Sequence, residues 1–173
     1  MRKAVFLDRD GTINEEVDYL HECDKMKFIP GTEEALKILK EKGYLLIVIT
    51  NQSGVGRGYY PIEDVHKIHQ YMNDLLRENG AEIDGFYCCP HVEEDKCSCR
   101  KPGTGMYLKA QKDFDIDLKQ SYMVGDKVTD ILAAEELGCG VGLLFSGHDI
   151  NEEYRIQYKK YCYQDLLEFA RAL

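Results

Sequence analysis

Ala4-Val5-Phe6-Leu7-Asp8-Arg9-Asp10-Gly11-Thr12 runs four apolar residues straight into two acids and a glycine. An apolar run this short, without polar alternation, reads as a strand buried on both faces, and such strands belong to parallel sheets covered by helices. The pattern repeats outward from there. Residues 32–41 carry Ala35, Leu36 and Leu39 at helical spacing after the Pro30-Gly31 break, and 45–50 (LLIVIT) form a β-branched strand. Residues 62–78 predict a long amphipathic helix closed by Gly80, and 85–89 a third strand. A helix over 106–114, a strand over 122–125, a helix over 130–137 ended by Gly138, a strand over 140–144 and a helix over 165–172 follow. The polar stretch 147–160 gives no defined element. Strands alternating with helices imply an α/β fold: a doubly wound, mostly parallel sheet in one domain over 1–173.

Hydrophobic residues make up 44% of the chain and charged residues 31%, enough to build a core and to exclude a disordered tail. Lys and Arg number 22 against 31 Asp and Glu, a formal charge of −9, which argues against a nucleic-acid groove. An anionic partner then needs local positive charge, and Arg100, Lys101 and Lys127 would have to converge on one site. The first seven residues lack the apolar length of a signal peptide and no membrane span follows, so a cytoplasmic protein with no membrane partner is expected. The seven cysteines are an odd count, which does not suggest a disulfide framework, and those between 88 and 99 cluster as metal ligands do.

In a parallel sheet, ligands bind beyond the carboxyl ends of the strands, and four loops there carry reactive residues. Asp8 and Asp10, at i and i+2, can crowd one pocket and invite a hard divalent cation such as Mg²⁺, although an Asp-Gly turn explains them equally well. Thr50-Asn51-Gln52-Ser53-Gly54 offers hydroxyls and N–H groups for a phosphoryl oxygen, or simply a polar loop with a helix cap. In Gly125-Asp126-Lys127-Val128-Thr129-Asp130, Asp126 could ligate the metal with Asp130 one turn later. Helix capping by Asp126 or Thr129 is the plain alternative. Cys89, His91, Cys97 and Cys99 supply a full tetrahedral set, so a zinc bound there would be structural. Reduced, buried thiols are the plain alternative, and Cys88 should point the other way along its strand. Arg100 and Lys101 follow directly, so the zinc loop would set two cations over a phosphate. His21, beside Glu22, could edge the pocket, while His66 and His69, at i and i+3, read as surface residues. None of these, nor His148, is assigned a catalytic role.

Asp-x-Asp-Gly-Thr, a strand-end Thr, a basic residue before a helix and Gly-Asp-x-x-x-Asp occur in the order seen in the haloacid dehalogenase superfamily, which the chain resembles over nearly its whole length. FLDRDGTIN, Val17-Asp18-Tyr19, TNQSGVGRG, CPH…CSCRKP and YMVGDKVTD make it similar to the branch of heptose bisphosphate phosphatases and histidinol-phosphatases. Gly105-Met106 and residues 54–58 side with the heptose enzymes, and the short spacing from His91 to Cys97 with the histidinol branch. The resemblance implies a Mg²⁺-dependent phosphatase with Asp8 as nucleophile, forming an aspartyl-phosphate, and Asp10 as general acid and base. It implies Thr50 and Lys101 on the phosphoryl oxygens, Mg²⁺ on Asp8, Asp126 and the Asp10 carbonyl, and Asp130 orienting Lys101 or a metal-bound water. Glu16, Val17, Asp18, Tyr19, Asn51, Gln52, Ser53, Arg100 and Lys127 are the expected substrate contacts. The short segments between motifs imply a capless, open, monomeric enzyme of a small phosphate ester, a heptose bisphosphate or else histidinol phosphate. A receiver-type phospho-acceptor domain shares the Asp, Thr and Lys, but Asp10 would there hydrolyse a phosphoryl group meant to persist. The charge of −9 opposes a DNA-end phosphatase.

Overall fold

The computed structural model describes residues 1–145 and 151–173. The apolar runs become strands β1 (Ala4–Leu7), β2 (Leu45–Asn51), β3 (Gly85–Cys89), β4 (Tyr122–Gly125), β5 (Gly140–Leu144) and β6 (Cys162–Tyr163). Helices α1 (Thr32–Glu41), α2 (Ser53–Gly56), α3 (Ile62–Arg77), α4 (Gly105–Phe114), α5 (Val128–Leu137), α6 (Glu152–Gln157) and α7 (Leu166–Ala172) lie between and after them. The strands form one sheet in the order β3-β2-β1-β4-β5-β6, with every neighbouring pair parallel.

Successive side chains of a strand point to opposite faces, and both faces here are covered. Val5 and Leu7 join Leu46, Val48, Val124 and Leu144 beneath α1, α3 and α7. Ala4 and Phe6 join Ile47, Ile49, Met123 and Leu143 beneath α4 and α5. This two-sided burial is why β1 and β2 carry no polar alternation. Because α1 and α3 both pack on the sheet, neither connection builds a lid domain over it. Among the described residues no helix is long and apolar enough to cross a membrane.

Three short elements, α2, α6 and β6, were not expected. The two residues of β6 are too few to carry a period. Within the polar stretch 147–160, α6 is started by the Asn151 side chain, which accepts from the Glu153 N–H at 2.8 Å. Residues 146–150, His148 included, lie outside the described residues. A second correction concerns His69: it is only 6% exposed and shares the buried stripe of Val65, Ile68, Met72 and Leu76 on α3.

Leu7 pairs with Val48 on one side and Val124 on the other, so the carboxyl ends of β1 and β4 are nearly level, while β2 runs on to Asn51. The chain runs from β1 to β2 on one side, while β4 occupies the other side of β1. Asp8 and Asp126 therefore leave the two strands flanking the topological switch point, where open α/β sheets form their crevice.

Candidate active site

At that crevice the carboxylates of Asp8, Asp126 and Asp130 converge, all buried, with ligand oxygens within 4.8 Å of one another. Local sequence makes the approach possible. Gly11 turns the chain at φ +82°, and a β-carbon there would run into the Asp126 carboxylate. A β-carbon at Gly125 would likewise strike Asp130. Lys101 sits among these acids. Its Nζ donates to Asp8 Oδ1 at 3.0 Å and to the Ile49 carbonyl at 2.8 Å, and forms an ion pair with Asp130 Oδ1 at 2.7 Å. Lys127 Nζ lies 3.9 Å from Asp8 Oδ2.

The charges set one another. Burial alone would push Asp8 up, but Lys101 and Lys127 outweigh it and hold its carboxyl below the usual range. Burial opposes the Lys101 charge, yet Asp130 and Asp8 keep it well above the ordinary lysine value. Burial and the neighbouring Asp8 charge push Asp126 up to about 9. Burial raises Asp130 to about 6 against the pull of Lys101. Two lysines thus leave the three acids short of positive charge. A set of hard carboxylate oxygens in that condition fits Mg²⁺. Side-chain oxygens of Asp8 and Asp126, two of the three expected ligands, lie in this cluster; the third was expected to be the Asp10 carbonyl, and Asp130 stands against Lys101.

Asp10 instead faces a cavity of about 260 Å³ beside the cluster. Four N–H donors saturate its carboxylate: Arg9 Nε and Nη2 at 3.1 Å each, Asn14 Nδ2 at 3.0 Å and Gln52 Nε2 at 3.0 Å. Gln52 also donates to Thr50 Oγ1 at 2.9 Å and accepts from the Tyr60 hydroxyl at 3.2 Å. Arg9 is fully buried, and its Nη1 meets His69 Nε2 at 3.3 Å. Sequence reasoning passed over Arg9 and read His69 as a surface residue. Period two puts Arg9 on the face opposite its acidic neighbours, and the i, i+3, i+4, i+7 stripe of α3 includes position 69; both signals were present.

Burial and the Arg9 charge hold His69 neutral, down to about 2. A histidine pKa depressed on folding contributes stability that is complete above its unfolded value near 6.5 and is lost as pH falls towards the folded value. Between pH 7 and pH 5 the wild type should therefore lose about 2 kcal/mol more stability than His69→Gln. Urea unfolding at the two pH values measures this, and parallel losses would refute it.

Of the expected substrate contacts, Glu16, Val17, Asp18, Tyr19, Asn51, Gln52, Ser53 and Lys127 line the Asp10 cavity. Asn51 also braces Lys101, accepting from its N–H at 3.0 Å and donating to its carbonyl at 3.2 Å. His21 does not line the cavity; it stacks on Tyr60, which does, with ring centroids 4.8 Å apart. Arg100 corrects the expected convergence of three cations. It reaches the His91 carbonyl at 3.4 Å and lines a separate cavity with Glu93, Lys96 and Lys101.

The loop that carries Arg100 holds the second cluster. Cys89, His91, Cys97 and Cys99 bring their ligand atoms together, with sulfur–sulfur and sulfur–Nδ1 separations of 2.9 to 3.5 Å. These are close to the edges of a tetrahedron with bonds of about 2.0–2.3 Å, so the set could hold a metal ion. Cys88 is not one of the four.

A parallel sheet with an aspartate cluster, a buried lysine and an Asp-x-Asp turn at its switch point defines a haloacid dehalogenase-like hydrolase. A HAD-hydrolase-like family profile matches residues 98–169. A D-glycero-beta-D-manno-heptose-1,7-bisphosphate 7-phosphatase of Haemophilus ducreyi is 50% identical over 144 residues, 79% of each chain. One from Helicobacter pylori is 46% identical over 132 residues, 76% of each chain. The solved structure of D,D-heptose 1,7-bisphosphate phosphatase from B. bronchiseptica, complexed with magnesium and phosphate, matches with a TM-score of 0.87 and 31% identity, over 98% of this chain and 97% of that one. The chain belongs to the D-glycero-beta-D-manno-heptose-1,7-bisphosphate 7-phosphatase family of HAD-like hydrolases.

Proposed function

We propose that the chain is a single-domain, magnesium-dependent phosphatase that removes the 7-phosphate of D-glycero-D-manno-heptose 1,7-bisphosphate. The observation that carries this reading is Lys101 Nζ bridging Asp8 and Asp130, with Asp126 beside them, at the switch point. Asp8 is the nucleophile. Its Oδ1 accepts from the Arg9 N–H at 2.9 Å and from Lys101, so Oδ2 is the oxygen left to attack phosphorus. The phosphorus–ester oxygen bond breaks as the aspartyl-phosphate forms, and Asp10 gives its proton to the departing alcohol. Asp10 then takes a proton from water as the water attacks phosphorus, releasing phosphate and restoring Asp8. Thr50 and Lys101 hold equatorial oxygens as charge spreads over them, and Asp130 keeps Lys101 in place. Asp8, Asp126 and the Asp10 carbonyl would hold Mg²⁺, with Asp130 behind them. The bound ion would offset carboxylate–phosphate repulsion and polarise the phosphoryl group.

Cys89, His91, Cys97 and Cys99 hold a structural zinc in this reading. Their loop delivers Arg100 and Lys101, so chelation by an agent that spares magnesium should release about one zinc per chain and lower turnover even with Mg²⁺ in excess. Metal analysis finding no zinc, with all seven thiols titrating freely in the folded protein, would reject the site.

Substrate choice is tested by phosphate release from heptose 1,7-bisphosphate, histidinol phosphate and a simple alkyl ester. The bisphosphate should give the highest kcat/KM, by at least about tenfold, or 1.4 kcal/mol of transition-state binding. The rival, histidinol phosphate, has one observation in its favour: Glu16 and Asp18 give the cavity an acidic rim suited to a cationic substrate end. A preference for that ester would overturn the heptose assignment and leave the phosphatase chemistry standing.

A further inference from the structure

We infer that His69 is a positioning residue for the reaction: it braces Arg9, and Arg9 in turn fixes the Asp10 carboxylate for proton transfer. This rests on the acid–base reading of Asp10. His69 is remote from the cavity, on α3, 60 residues along the chain from Arg9.

The Arg9 guanidinium is fully enclosed and every contact is directed. Nε and Nη2 form a fork on the two oxygens of Asp10, and Nη1 points at His69 Nε2. A guanidinium only donates, so Nε2 must be the acceptor and the ring is neutral, with its proton on Nδ1. Phe86 fixes the ring from its flat side, at 4.3 Å between centroids and 13° between planes. A side chain pinned at both Nη positions and at Nε cannot turn about its terminal bonds, and so the plane of the fork is fixed. A simpler role as a satisfied core pair would not explain the direction of the charge. Arg9 is aimed at Asp10, outside the Asp8–Asp126–Asp130 cluster where positive charge is short. Of the four donors on Asp10, only Gln52 lines the cavity. Gln52 is therefore the donor that can give way, freeing Oδ2 to pass its proton to the leaving oxygen or to take one from water, while Arg9 and Asn14 keep the carboxylate in place.

The test compares His69→Leu, which offers no acceptor, with His69→Gln, which restores one. Both lose the ring that stacks on Phe86, so their difference reads the acceptor. With the magnesium-loaded enzyme, steady-state turnover is measured on an alkyl phosphate, whose alcohol must be protonated to leave. Single-turnover release is measured from p-nitrophenyl phosphate, whose leaving group needs no proton. For His69→Leu the expected result is a fall of about tenfold or more in kcat on the alkyl ester with little change in KM, an unchanged p-nitrophenolate release rate, and recovery of most of the loss in His69→Gln. Wild-type kcat, equal losses on the two esters, or a glutamine variant no better than leucine would overturn the inference. Asp10→Asn is run in parallel. If it shows the leaving-group split and His69→Leu does not, the bracing role alone falls. If Asp10→Asn also lacks the split, the acid–base reading falls and this inference with it. Should His69→Leu fail to fold, Arg9→Lys, which keeps the charge and loses the fork, must show the same split.

Discussion

Asparagine at position 8 is expected to leave a folded protein whose phosphate release is lower by at least about a thousandfold, because an amide cannot take up the phosphoryl group. The fold should tolerate the change. The two donors on Asp8 Oδ1, the Arg9 N–H and Lys101, find a carbonyl oxygen in the same place. Lys101 also keeps its closer partner, Asp130. Removing the Asp8 charge relieves Asp126, whose carboxyl is pushed up to about 9 by burial and by Asp8. The metal-free variant should thus melt no lower than the metal-free wild type. Phosphate release and thermal melting measure the two halves of this expectation, and a variant keeping more than a tenth of wild-type turnover would remove Asp8 from the reaction.

Lys101→Met should act in the opposite way, harming the fold as well as the chemistry. Methionine has similar length and no charge, so Asp8 and Asp130 lose the cation that lies 3.0 and 2.7 Å away in a buried site. Breaking a buried pair on one side costs about 3–5 kcal/mol, since the remaining charge stays out of water unpaired. Magnesium should restore part of that loss by mass action, because it binds the folded state and supplies the missing positive charge. Turnover should stay depressed by about a hundredfold or more even with Mg²⁺ present, since a donor to the phosphoryl oxygens is gone. Urea unfolding with and without Mg²⁺ is the measurement, and an unchanged midpoint in its absence would mean that the lysine does not hold the acids together.

Much of this arrangement was legible in the chain. The runs at 4–7 and 45–50 are buried on both faces, so hydrophobicity alone marked them, and the acids and hydroxyls that end them had to fall on one edge of the sheet. The Cys and His spacing pointed to four residues whose ligand atoms do come together, in a set that could hold a metal, because ligand identity is local information. Direction in space was harder to read. Arg100 stands next to Lys101, yet it turns back to the His91 carbonyl, a choice made by loop geometry that spacing does not encode. Arg9 stands between two acids, and nothing in its local sequence points to its partner, which comes from the middle of α3. His69 was misjudged because its type suggested solvent while its position in the stripe of Val65, Met72 and Leu76 put it inside. Asp130 was legible one turn after Asp126; its closeness to Asp8 follows from α5 starting at Val128, which turns that side chain back over Gly125.

Among the described residues no lid domain covers the sheet, which has a consequence for time as well as for space. On the proposed route the acyl phosphate on Asp8 forms on a buried floor beside a cavity walled by loops, so no domain closure among the described residues separates the two steps. Water does not wait for a hinge, and the lifetime of the intermediate depends on how quickly Asp10 can deprotonate an arriving molecule. Nor does product wait for a door: phosphate and sugar leave at the pace of diffusion. The part of the substrate distant from the reacting phosphate stays in solvent throughout, so its bulk is limited by the loops it brushes and never by the volume of a closed chamber.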